Sequence, residues 1–85
     1  MMPIDRIRAI LNTHVRHMCL HYLVGDDINS PGWDERYQAW WNCLKEETFL
    51  MMTLRQDDVH AYKFVEQLIF DWDDEHLPLK HPLLD

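Results

Sequence analysis

Eighty-five residues and 10.4 kDa leave room for one domain, 1–85, with a small core. A hydrophobic fraction of 47%, four Trp, five Met and only two Gly exclude a disordered chain. A formal charge of −7 and a pI near 5.1 disfavour direct nucleic-acid binding, because such a surface repels phosphate.

The chain opens with Pro3, whose fixed φ and missing N–H suit the first turn of a helix. Ile4, Ile7, Leu11, Val15, Met18 and Tyr22 then recur at spacings of three and four, which predicts a helix over 3–24 with that stripe facing the core. Gly25 is the expected helix end. Asp5, Arg6 and Arg8 interrupt the first apolar stretch, and no run reaches the roughly 18 apolar residues of a membrane span, so neither a signal peptide nor a membrane anchor is expected. Two cysteines, Cys19 and Cys43, are too few for a disulfide scaffold and fit a reduced, cytoplasmic protein. Cys19 borders the apolar stripe and reads as a small core residue; Cys43 reads as partly exposed.

Residues 25–32 are the concentrated turn signal. Ser30 is the expected cap of a second helix over 33–54, with Asp34 and Glu35 favourable in its first turn. Trp33, Tyr37, Trp40, Leu44 and Met51 form its apolar stripe, and Trp41 lies about 100° from Trp40, where exposure is expected. The segment 48–54 is apolar on all sides and is read as a buried helical turn, because no second strand exists to pair with it. Asp57 or Asp58 caps a third helix over 58–74 carrying Val59, Tyr62, Val65, Leu68, Ile69 and Trp72. Pro78 and Pro82 make 75–85 an irregular tail whose leucines could strap the bundle. The fold class is all-α, a three- or four-helix bundle with an irregular Pro-containing tail.

Charge is polarised. Residues 1–24 carry Arg6, Arg8 and Arg16 against Asp5, whereas residues 25–85 carry five basic and fourteen acidic side chains. Asp71, Asp73, Asp74 and Glu75 surround Trp72, an acidic rim about an aromatic anchor. With Trp41 as a second exposed indole, these six residues form the expected contact set of a small acidic protein-binding module. Its partner would be a basic protein surface, including the nucleic-acid site of a nucleic-acid-binding protein, as for an inhibitor, immunity-type or adaptor protein. The spare aromatics also admit a homodimer.

The alternative chemistry is the triplet His14, His17 and His21, which lies on one flank of the first helix within about 60° of arc. Neutral imidazoles so placed could ligate Zn²⁺ with a fourth ligand from another helix, or could loosen the bundle on protonation below about pH 6.5. An EF-hand reading of the loop fails. Asp27, Asn29 and Gly32 fit, but Pro31 and Gln38 stand where oxygen ligands are required, and Asp34 falls at an apolar position. No Ser/His/Asp arrangement, phosphate loop or compelling carboxylate pair is found, so the chain is not expected to be an enzyme.

Overall fold

The computed structural model describes residues 2–24 and 28–76. Within them lie three helices and no strand: α1 (Ile4–Val24), α2 (Trp33–Asp57) and α3 (Val59–His76). The expected helix end at Gly25 and the tail beyond residue 76 lie outside the described residues. None of the three helices is long and apolar enough to cross a membrane.

The two described turns are set by local chemistry. Gly32 is the residue before α2 and has φ 78°, a left-handed conformation that favours glycine. No side chain caps α2 there, which corrects the role expected of Ser30. The Ser30 carbonyl instead accepts the Trp33 N–H at 3.2 Å, and its hydroxyl accepts from Nη2 of Arg36 at 2.6 Å. Asp58 alone separates α2 from α3. Its N–H donates to the Leu54 carbonyl at 2.7 Å, and its Oδ1 accepts the Ala61 N–H at 3.0 Å, so one residue closes one helix and caps the next.

Three contacts fix the pairing of α1 and α2. Arg6 reaches Asp57 at 3.1 Å, His14 reaches Glu47 at 3.0 Å, and Nε1 of Trp33 donates to the Val24 carbonyl at 3.1 Å. Residue numbers rise on α1 as they fall on α2, so the two helices are antiparallel. The contact of His14 with Asp73 shows α3 returning alongside α1. The core sits near the start of α1: Ile7 and Ile10 pack with Leu54, Ala61, Val65 and Ile69, and Leu11, Leu50, Met51, Tyr62 and Leu68 pack around them.

Which faces turn inward differs from the apolar periodicity. Among the described side chains of α1, Ile7, Ile10, Thr13 and His14 are buried, while Ile4 is 53% exposed and Leu11, Val15, Met18 and Tyr22 are half-buried. Two neighbours cover α1, so its covered arc extends from the apolar stripe to the histidine row, about 100° away. Thr13 is satisfied there by donating its hydroxyl to the Ala9 carbonyl at 2.7 Å. On α2 the inward face is shifted the same way. Cys43 and Leu54 are buried, Glu47 is half-buried, and Tyr37, expected in the core, is exposed. Residues 48–54 are helical, but Phe49 and Met52 face solvent, so the segment is buried on one side only. The cysteine expectations reverse: Cys19 is exposed and Cys43 is buried.

Candidate functional site: a buried histidine held by two carboxylates

Each helix carries one polar side chain a single turn beyond a buried residue of its inward face. His14 follows Ile10, Glu47 follows Cys43, and Asp73 follows Ile69. The core contacts that align the helices thereby bring these three groups together, although 33 and 59 residues separate His14 from its partners. His14 is the buried member, with its ring between α2 and α3. Its Nδ1 lies 3.0 and 3.2 Å from the two oxygens of Glu47, and its Nε2 lies 2.8 Å from Oδ1 of Asp73.

Carboxylates accept hydrogen bonds and do not donate them, so contacts to a carboxylate at both ring nitrogens favour the doubly protonated form of His14. The hydrogen bond to Glu47 is the strongest influence on its pKa and raises it. Burial opposes that rise, the bond to Asp73 adds to it, and the net pKa stands above the ordinary 6.5. His17, one turn further along α1, is displaced the other way. Burial chiefly lowers its pKa, and the neighbouring His14 and His21 lower it further against an upward pull from Glu47. The Nδ1 of His17 lies 3.4 Å from the same Glu47 oxygen that His14 uses, yet it is buried without a hydrogen bond. Trp40 Nε1 is also buried without one.

Aromatic rings extend from this polar group along α2 to Trp33 and along α3 to His76. Trp33 stacks on Tyr37, Tyr37 touches Trp40, and Trp40 contacts Trp41, His17 and His21. His17 meets His14, whose ring stands edge-on to Trp72 at 5.6 Å, and Trp72 stacks on His76 at 4.2 Å.

The residues singled out from sequence divide in three. His14 and His17 converge on Glu47, whereas His21 is exposed and packs on Trp40, so the metal-ligating triplet does not assemble as three histidines. Asp73 turns inward to His14 and is not a free surface carboxylate, while Asp71, Asp74 and Glu75 are exposed. Trp41 is 41% exposed with Nζ of Lys45 5.9 Å above its ring, and Trp72 is half-buried between His14 and His76. Glu47 was not singled out. Its signal in the sequence is an acidic residue about 20° outside the arc of Trp40, Leu44 and Met51 on α2.

Compared with protein families, curated proteins and solved structures, the chain matches none.

Proposed function

We propose that this chain is a small acidic helical binding module that occupies a basic surface of a partner protein. The observation that carries the reading is the C-terminal end of α3. Asp71, Asp74 and Glu75 are exposed within its last six residues, and residues 64–76 contain no Lys or Arg. Asp71 accepts a hydrogen bond from Gln67 at 2.9 Å, and among the described residues none of the three is in an ion pair.

Carboxylates there oppose the partial negative charge of the helix's last carbonyl groups. A positively charged partner reverses the sign of that interaction, so a placement that weakens α3 alone strengthens a complex. Surfaces that ordinarily hold phosphate fit this description, with carboxylates standing where phosphates would lie. Asp73 supports the rim from behind through His14, and Trp41 is the indole most open to a partner.

The test compares the native chain with an Asp74→Lys/Glu75→Lys variant, both immobilised and exposed to native lysate with nuclease present. A basic protein retained by the native chain, released by rising salt and absent from the variant is the expected result. Equal retention on both chains, or none on either, overturns the reading. The variant should melt no lower than the native chain, because the altered side chains are exposed and lysine suits the last turn of a helix, so lost retention cannot be put down to unfolding.

A further inference from the structure

We infer that His14, His17 and Glu47 form a divalent transition-metal site, with Asp73 orienting His14 from behind. The inference is independent of the binding-module reading and rests on three observations.

The first is the donor set. Two imidazole nitrogens and a carboxylate oxygen, drawn from α1 and α2, all lie within 4.8 Å of one another. His₂-carboxylate is an established ligand set for Zn²⁺ in which a fourth position stays open to water. Ligand atoms about 2.0–2.2 Å from a tetrahedral ion stand roughly 3.3–3.6 Å apart. The Nδ1 atoms of His14 and His17 lie 3.0 and 3.4 Å from Oε1 of Glu47, close to that spacing before any ion has drawn them together.

The second is the Nδ1 of His17. It is buried, makes no hydrogen bond, and is aimed at an oxygen already engaged by His14. A lone pair facing a carboxylate is repelled, and a proton there lacks the alignment of a hydrogen bond. A cation between the two atoms satisfies both. The third is Asp73. Metal-ligating histidines characteristically donate their other ring N–H to a carboxylate, which fixes the ring and increases the basicity of the ligating nitrogen. Nε2 of His14 makes that bond at 2.8 Å from a third helix.

Binding breaks the Nδ1–H bond of the His14 imidazolium and forms the metal–nitrogen bond with the freed electron pair, and the proton passes to solvent. Nε2–H stays with Asp73. A dication there would also stand close to two carboxylates, Glu47 directly and Asp73 through the His14 ring.

The test uses the full chain stripped with chelator and titrated with Zn²⁺ by calorimetry in buffers of differing ionisation enthalpy, with Co²⁺ as a spectroscopic probe. Expected are one ion per chain, a proton released into buffer on binding, a tetrahedral Co²⁺ spectrum and a higher melting temperature with Zn²⁺. His17→Ala should abolish binding yet leave the metal-free helical spectrum intact, since its Nδ1 holds no hydrogen bond. Asp73→Asn, which keeps an acceptor, should weaken binding about 10–100-fold. His21→Ala should bind as the native chain does. No stoichiometric binding by the native chain, or binding that survives His17→Ala, overturns the site. Binding lost in His21→Ala would instead assign the ion to the α1 triplet and overturn it equally.

Discussion

The 2.8 Å contact between Nε2 of His14 and Oδ1 of Asp73 ties the middle of α1 to the end of α3, so a residue within the acidic surface cluster is also a structural partner of the buried histidine. Asp73 and Asp74 therefore differ sharply although adjacent. Removing one partner of a buried ion pair costs about 3–5 kcal/mol, and the 28% exposure of the Asp73 side chain places Asp73→Ala below that range, at about 2–3 kcal/mol. Asp74→Ala should stay within about 0.5 kcal/mol of the native chain. Urea denaturation of the two variants checks this, and equal midpoints would refute the assignment.

Stability of the metal-free chain should pass through a maximum near pH 6.5. His14 faces Glu47 on α2 and Asp73 on α3, and its folded pKa is raised above 6.5. Its contribution is complete below pH 6.5 and is lost as the pH rises through the higher folded value. His17 faces Glu47, His14 and His21 with a lowered folded pKa, so its protonation opposes folding as the pH falls below 6.5. The loosening expected of all three imidazoles at low pH therefore does not extend to His14, which two carboxylates already hold as a cation. Melting in chelator across pH 5–8 measures both limbs. His14→Gln should remove the alkaline limb and His17→Gln the acid limb; a monotonic profile in the native chain contradicts the opposed shifts.

The apolar centre is narrow enough for one truncation to unfold the chain. Leu54 is fully buried among Ile10, Ala61 and Val65. Leu54→Ala should cost about 2–5 kcal/mol, a large part of the roughly 5–15 kcal/mol available to a typical domain. Loss of the cooperative helical melting transition, or a drop of tens of degrees in its midpoint, is the expected readout. A shift of only a few degrees would place the main core elsewhere.

Asp58 should matter more than its position between two helices suggests. Its Oδ1 accepts the Ala61 N–H and its own N–H closes α2 on Leu54, but only the first interaction uses the side chain. Asp58→Ala is expected to cost about 1 kcal/mol, and Asp58→Asn should recover most of it. Equal loss in both variants would show that charge rather than capping is at work.

The two thiols offer a quick check on helix orientation. Cys19 is exposed and Cys43 is buried, so a thiol reagent should modify one equivalent promptly and the second only after denaturant is added. Cys19→Ser should abolish the prompt phase. If the slow phase disappears instead, the inward face of α2 lies elsewhere.

Helix positions were almost fully legible in the sequence, because Pro3, the turn residues 28–32 and Asp58 act locally. The expected spans 3–24, 33–54 and 58–74 compare with Ile4–Val24, Trp33–Asp57 and Val59–His76. The polar extension Arg55–Asp57 lies beyond the point where apolar periodicity stops, and Asp57 is held there by Arg6. Which face turns inward was much less legible. Periodicity counts apolar residues on one helix at a time, whereas the burial of His14 depends on carboxylates 33 and 59 residues away. Two of the three side chains of the proposed metal set, His14 and His17, were visible in their spacing. Glu47 was not, because it meets the two histidines only through the antiparallel register of α1 and α2. The cysteines misled for a related reason: a small side chain sits as easily on either side of an amphipathic boundary.

The three polar side chains that each lie one turn past a buried residue also determine which alignments of the helices are tolerable. Apolar packing alone is forgiving, since a helix shifted along its neighbours by one turn meets other Leu, Ile and Val side chains. Shift α3 by that amount here and Ile69 would stand where Asp73 meets His14, leaving a charged ring buried without its acceptor. Such arrangements are excluded by the cost of an unpaired charge, not by any loss of apolar contact. The His14 layer thus acts as a vernier for the bundle, selecting a single longitudinal setting from several that the hydrophobic residues would accept.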